Sequence, residues 1–273
     1  MTQSTVATRT VRVLVHGASG KMGREVVAAV SKTTDLRVVG AVHRNIAGHT
    51  DLELPTGAGR VPLSNKVGDV LDATTPHVLV DFSTSEAAMA AAKAALARGV
   101  HVVTGTTGLT EANLKELDAA AQERGLGVIV APNFALGAVL LIHLAKVVGK
   151  YFDYVDVIEA HHEAKIDSPS GTALAIARAL AESHGKPFTH PAPEKEPLKG
   201  ARGGETQGVG IHSIRMPGRM AHHEVLLGTA GQTMSLRHDA LNRECYMPGV
   251  LMAVREVSKR KGLTLGLDKL LGL

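Results

Sequence analysis

Residues 11–30, VRVLVHGASGKMGREVVAAV, decide how the chain is to be read. Val11, Val13, Leu14 and Val15 crowd aliphatic side chains into six residues, the composition of a buried strand. The run goes directly into Gly17, Gly20 and Gly23, and behind them Met22, Val26, Val27 and Val30 recur at helical spacing. A strand, a glycine turn and an amphipathic helix make the first step of a dinucleotide-binding fold. Glycines let the backbone approach a pyrophosphate, and the free amides of the helix start supply donors and partial positive charge. The spacing alone also fits an ordinary tight turn. Its place after a first strand favours a nucleotide cradle of Gly17, Ala18, Ser19, Gly20, Lys21 and Met22, with Arg24 adding a further cation.

Outward from this turn the strand and helix rhythm continues. A second strand, Leu36–Val42, ends in His43 and Arg44, where a dinucleotide-binding unit commonly carries an acid for the ribose 2′-hydroxyl. No acid stands there, and Arg44 can pair with a 2′-phosphate, so NADPH is expected to be accepted at least as well as NADH. A solvated loop cation is the competing reading of Arg44. Residues 45–65 turn to Gly, Pro, Thr and Asp and read as a surface connection with little regular structure. Next come a buried strand at 77–82, an alanine-rich helix at 85–98 capped by Ser85, and a strand at 101–103 leading to Gly105, Thr106, Thr107 and Gly108. Thr110 can cap the following helix, but Asn113 stands where Glu or Gln would complete a capping box. A strand at 128–130 then leads to Ala131, Pro132, Asn133 and Phe134. Four strand ends therefore face one edge, the edge at which open parallel sheets place their ligands, and together they outline a cofactor cleft.

After Asn133 the rhythm changes. An apolar helix at 136–148 contains His143, read as a core or interface histidine, and is followed by a strand at 154–160 and a helix at 172–182. Residues 187–210, rich in Pro, Lys and Gly, read as a long loop. Three strand-like runs at 211–216, 223–228 and 233–238 are separated by short turns, the pattern of an antiparallel sheet. A last helix at 248–259 has the spacing to pack back on the first domain. The expected fold is α/β, a Rossmann-like parallel-sheet domain of residues 1–132 and 241–273. A smaller α+β domain with an open mixed or antiparallel sheet covers 133–240 and serves substrate binding and oligomerisation.

Composition sets the remaining limits. Of 273 residues 44% are hydrophobic and 21% charged, which suits a soluble chain with a real core, built from aliphatics because aromatics are only 3%. The net charge of +4 is spread along the chain, which points to small anions rather than nucleic acid. The single cysteine, Cys245, has no evident cation to activate it and reads as a small hydrophobe. The first ten residues lack an apolar core, so no signal peptide is expected. The longest apolar run is broken by His143 and Lys146, so no membrane partner is expected either. The expected location is cytoplasmic.

The stretch that carries chemistry is EAHHEAKIDSPSGT, residues 159–172. His161 and His162 follow a strand, so their side chains point to opposite faces unless the strand ends between them. Either can converge with Lys165 if the chain turns at Glu163 and Ala164. The histidines with Glu159 and Asp167 resemble a metal ligand set, but a central lysine opposes a cation and no HExxH pattern is present, so no metal is expected. Imidazole and ammonium instead suit proton transfer near neutral pH. Ser170, Gly171 and Thr172 open a helix whose amides suit a carboxylate. A solvated polar loop is the commoner fate of so charged a stretch, but it leaves the helix start unexplained. The constellation asks for a small dicarboxylate substrate.

This run, together with GASGKMG, VDFS, GTTG and APNFALG in the same order, closely resembles the signature of the dihydrodipicolinate reductase family, now called 4-hydroxy-tetrahydrodipicolinate reductases, of bacterial lysine and diaminopimelate synthesis. The resemblance implies that His161 and Lys165 handle protons and that His162, Gly171 and Thr172 bind the dicarboxylate. It places the nucleotide on 17–22, 105–107 and 131–134, and it implies a homotetramer. Many members carry an acid followed by Arg after the second strand; His43 and Arg44 depart from that pattern and tilt the expectation towards NADPH. In the expected reaction the ring loses its hydroxyl as water, hydride reaches the conjugated ring on domain closure, and His161 or Lys165 returns a proton to the adjacent carbon. Arg243 is a further candidate to face the substrate. Another amino-acid dehydrogenase and a non-catalytic NADPH sensor are the competing readings; a sensor has no need of HHxxK beside a helix start.

Overall fold

A computed structural model describes residues 10–46 and 48–273, so nine of the ten residues on which the signal-peptide expectation rests lie outside it. Strand β1 (Val11–His16) buries Val13, Leu14 and Val15, and helix α1 (Lys21–Ser31) turns Val26, Val27 and Val30 inward. Strand β2 (Leu36–Val42) follows. Residues 48–65 are more regular than their composition suggests. They form β3 (Asp51–Glu53), a 3-10 turn at Pro55–Gly57, and β4 (Arg60–Ser64). The cause is a two-residue alternation in β4, where Val61 and Leu63 are buried and Arg60 and Pro62 exposed, short enough to be hidden by the turn formers around it. Helix α2 (Val67–Thr74), for which the sequence reading had no element, buries Val70 and Leu71.

Strand β5 (Val78–Asp81) leads to helix α3 (Ser85–Leu96), which is capped by Thr84 rather than Ser85; Thr84 Oγ1 accepts from the Ala87 amide and Ser85 is already helical. After β6 (His101–Thr104), helix α4 (Glu111–Arg124) has the complete capping box that the sequence reading denied it. Asn113 Oδ1 accepts from the Thr110 amide at 3.0 Å and Thr110 Oγ1 from the Asn113 amide at 3.2 Å, so the shorter amide side chain reaches as Gln would. Strand β7 (Gly127–Val130) follows.

Helix α5 (Leu136–Gly149), strand β8 (Tyr154–His161) and helix α6 (Gly171–His184) come next, then β9 (Gly204–Thr206), β10 (Val209–Arg215), β11 (Ala221–Thr229) and β12 (Gln232–Ala240). The chain then returns to the first sheet through α7 (Met247–Glu256), β13 (Gly262–Leu265) and α8 (Asp268–Leu271).

The first sheet has the order β13-β7-β6-β5-β1-β2-β4-β3. Every neighbouring pair is parallel except β3 with β4, so the carboxyl ends of seven strands share one edge. Leu14, Leu79, Val102 and Val128 from its strands pack on Ala91, Ala92, Ala95 and Leu96 of α3 and on Leu117 and Ala121 of α4. The second sheet has the order β12-β11-β8-β10-β9. Here β10 and β11, consecutive in sequence, are not neighbours. The α6 crossover lays β10 parallel to β8, and β11 takes the other side of β8, antiparallel to it and to β12. Val155 and Val157 pack with Val225, Leu227 and Ile211 against Ala173, Ile176 and Leu180 of α6. The chain divides into two compact units, one running through Phe134 and resuming at Tyr246, the other being Ala135–Cys245. Among the described residues no helix is long and apolar enough to cross a membrane.

Candidate active site

Within the first unit, the loops singled out in the sequence all follow carboxyl ends of parallel strands: residues 17–22 follow β1, His43 and Arg44 follow β2, residues 105–107 follow β6 and residues 131–134 follow β7. Gly17 is left-handed, with φ of 80°, and a Cβ there would meet the Phe82 carbonyl oxygen at 2.4 Å. A Cβ on Gly23 would lie 2.1 Å from the Gly17 oxygen, so the helix can start this close to the turn only without a side chain. Gly20 caps α1 with no side chain, and the first-turn amides are left to a ligand or solvent. The turn is pinned to β2 by the Gly17 and Ala18 amides, both donating to the Val42 carbonyl. Ala18, Thr106, Ala131 and Phe134 are buried, whereas Ser19, Gly20, Met22, Gly105 and Asn133 are half-buried and Lys21, Arg44, Thr107 and Pro132 are exposed. Burial, and then the charges of Arg44, His16 and Arg24, push His43 below the ordinary histidine range, so at neutral pH the arginines carry the positive charge here.

One group at this edge was missed in the sequence. Asp81, the last residue of β5, is buried and takes bonds from His16 Nδ1 at 2.7 Å, Ser83 Oγ at 2.6 Å, Thr104 Oγ1 at 2.7 Å and Thr106 Oγ1 at 2.6 Å. Burial alone would raise this carboxyl, but the four bonds outweigh it and hold it below the usual range. The Ser83 amide in turn donates to Thr106 Oγ1 at 2.9 Å, so one carboxylate fixes the loops after β1, β5 and β6. The available signal was a carboxylate closing an otherwise apolar strand.

The second unit builds its site on the end of β8. The strand stops at His161, which is buried, while His162 beyond it is exposed. Two-residue periodicity puts Glu159 and His161 on one face, with Ser213 and His223 beside Glu159 and Arg215 beside His161. Glu159 Oε2 contacts His161 Nδ1 at 2.5 Å, and Arg215 grips the carboxylate with both terminal nitrogens at 2.9 and 2.7 Å. The Ser170 amide adds a bond to Oε1 at 3.2 Å. Burial would raise Glu159, yet bonds from His161, Arg215 and Ser213 hold it well below the carboxylate range. The chain turns at Glu163 and Ala164, but Lys165 Nζ pairs with Asp167 at 2.7 Å rather than with either histidine. Arg215 joins the two pairs by donating also to the Asp167 carbonyl at 2.8 Å.

Ser170 is buried as the cap of α6. Its Oγ accepts from the Ala173 amide and meets His223 Nε2 at 3.1 Å, so its hydroxyl is engaged inside the unit. Gly171 is exposed and Thr172 half-buried at the helix start, and a Cβ on Gly171 would meet open space. Glu159, Arg215 and His223 were not read as site residues in the sequence; Glu159 was weighed only as a metal ligand. Among the described residues no group of three or more His, Cys, Asp or Glu side chains is placed to hold a metal ion. Cys245 is half-buried, and burial raises its thiol, the opposite of what a reactive thiolate needs.

The glycine turn that a Cβ would fill, the helix start without a side-chain cap and the cations beside it fit a dinucleotide. With a second unit whose β8 ends in His161 and whose next loop carries Lys165 to an open helix start, they place the chain among the nicotinamide-dependent oxidoreductases. An amine dehydrogenase from Mycobacterium smegmatis shares the fold, with a TM-score of 0.63 at 15% identity over 94% of this chain and 95% of that one.

Family descriptions narrow the class: dihydrodipicolinate reductase, N-terminus, matches residues 11–134, and dihydrodipicolinate reductase, C-terminus, matches residues 137–271. The chain belongs to the dihydrodipicolinate reductase family, whose reaction is the reduction step of lysine and diaminopimelate biosynthesis. A 4-hydroxy-tetrahydrodipicolinate reductase from Dehalococcoides mccartyi is 46% identical over 263 residues, 96% of this chain and 99% of that protein. One from Moorella thermoacetica is 43% identical over 265 residues, 96% of this chain and 98% of that protein. The dipicolinate-bound dihydrodipicolinate reductase from Paenisporosarcina sp. superposes with a TM-score of 0.86 at 36% identity, covering 95% of this chain and 99% of that one.

Proposed function

We propose that the chain reduces 4-hydroxy-tetrahydrodipicolinate to tetrahydrodipicolinate with NADPH as the preferred donor, and that the residues divide the work as follows. Residues 17–22, with the start of α1, hold the pyrophosphate, and Gly105, Thr106, Thr107, Ala131, Pro132, Asn133 and Phe134 line the rest of the cofactor site. The bound nicotinamide supplies hydride to the ring. His162 and the helix start at Gly171 and Thr172 take the two carboxylates, while Ser170 supports that helix start from beneath. His161 and Lys165 hold and move the proton that the adjacent ring carbon gains. The observation that carries this reading is the burial of His161 against Glu159 close to the start of α6, where Gly171 leaves room for a ligand.

NADPH preference is supported by the lack of an acid after β2 and by Arg44, exposed at that strand end. The family's reaction, a step of lysine and diaminopimelate biosynthesis, supports a cytoplasmic location. A homotetramer is supported by the second sheet, whose face opposite His161 leaves Tyr154, Ile214 and Leu226 exposed by 47%, 42% and 37%. The test is NADPH and NADH consumption with substrate made in place from pyruvate and aspartate semialdehyde by the preceding enzyme, in the wild type and in Arg44→Ala. The variant should lose about 10- to 100-fold in NADPH affinity, the worth of charge-assisted bonds to a phosphate, while NADH affinity holds. Equal loss for both cofactors would reject Arg44 as the 2′-phosphate ligand, and no consumption by the wild type would reject the reaction.

A further inference from the structure

A carboxylate with no solvent exposure is costly to keep ionised, and Glu159, at 0% exposure, is kept so by an unusual number of donors. His161 Nδ1, both terminal nitrogens of Arg215 and the Ser170 amide reach it, and Ser213 adds a hydroxyl. Arg215 stands directly across from His161 on β10 and reaches along its strand face to Glu159, so the guanidinium and the imidazole approach the same carboxylate from neighbouring strands. An ionised carboxylate can only accept. The hydrogen in the 2.5 Å contact therefore sits on His161 Nδ1.

The other groups around His161 leave this arrangement intact. On β11, His223 crosses the His161 ring edge to face at 5.3 Å; burial and the neighbouring His161 push it down to about 4, so it is neutral at neutral pH. From the loop after β8, Ser170 bonds to His223, and Lys165 is held by Asp167, whose carbonyl is tied to Arg215. Glu159 is the anion that touches the imidazole.

We propose that Glu159, locked by Arg215, is the positioning residue for proton transfer: it keeps a proton on His161 Nδ1 and leaves Nε2 as the nitrogen that exchanges a proton with the substrate. The inference rests on reading His161 as a proton-handling group. In the step, the Nε2–H bond of the imidazolium breaks and its electron pair stays on nitrogen. A C–H bond forms at the ring carbon next to the one that receives hydride, and the neutral imidazole still donates its Nδ1 proton to Glu159. Water restores the Nε2 proton.

Glu159→Gln in the full chain should lower kcat about 10- to 100-fold, as loss of a supporting partner does, with NADPH affinity and substrate KM held within about threefold. Added to His161→Gln, the same change should cost nothing more, as expected of a residue that acts through the histidine. A purely structural role would lower stability and would cost as much in the His161→Gln background as in the wild type, and that result overturns the proposal. Should Glu159→Gln not fold, nitrogen-15 spectra of the wild-type ring decide: the Nδ1–H tautomer is expected, and the Nε2–H tautomer overturns it. Wild-type turnover in His161→Gln would instead sink the reading underneath, whatever the tautomer.

Discussion

At the scale of single residues, the second unit is held by groups whose protonation is set by burial. His223 is buried between β8, β12 and the cap of α6, and its pKa falls from 6.5 to about 4. The folded state therefore keeps it neutral, while the unfolded chain takes up a proton once the pH drops below 6.5. Its contribution is complete above 6.5 and is lost as the pH falls from there towards about 4, by up to about 3 kcal/mol. Glu159 acts in a lower window. Its folded pKa lies below that of the unfolded carboxyl, so its contribution is present above the ordinary carboxylate range and fades as acid protonates it in the folded state. Urea unfolding of His223→Gln should thus show a flatter dependence between 6.5 and 4 than the wild type, and an unchanged slope would show that His223 is not the group responsible. Of these residues the sequence offered the histidine and lysine of the motif by type alone. Their partners were illegible because Glu159 and Arg215 are 56 residues apart and meet only through the parallel pairing of β8 with β10.

Local elements were readable where one short pattern decides them and obscure where tertiary pairing does. The β1 turn and α1 follow from glycines that nothing else can replace: at Gly23 the added atom would meet backbone, which cannot swing away. Gly23→Ala should push α1 off the turn and weaken NADPH binding by more than about tenfold, with about 1–3 kcal/mol lost from the first unit as overpacking strain. Calorimetric titration measures the first and urea unfolding the second; wild-type affinity in this variant would show that the turn does not hold the cofactor. By contrast, β4 hides its alternation beside Pro62, and β13 is only four residues long. The neighbours of β10 could not be inferred from adjacency, because α6 carries the chain across the sheet. The Thr110 cap was misjudged on residue type: what matters is an acceptor within reach of the Thr110 amide, and the Asn113 carbonyl meets that need.

For the whole molecule, the change from a parallel αβ rhythm to a run of strands announced two units of different kinds, and the motif order announced the family. The assembly was not written in the same way, because an exposed sheet face states only that something apolar is left over. If four copies associate through it, Leu226→Asp should shift the sedimentation of the purified protein to smaller species, and an unshifted tetramer would place the contact elsewhere. The central claim, that hydride passes to a ring whose proton is managed by His161 and Lys165, is tested most directly by isotope transfer. NADPH deuterated at the transferable position is supplied with substrate made in place, and the product is weighed by mass spectrometry. The wild type should place one deuterium in the product, while His161→Gln and Lys165→Ala bind the cofactor normally and form labelled product about 100-fold or more slowly, the usual scale of a lost acid or base. Unlabelled product from the wild type, or full-rate labelling by both variants, would contradict it.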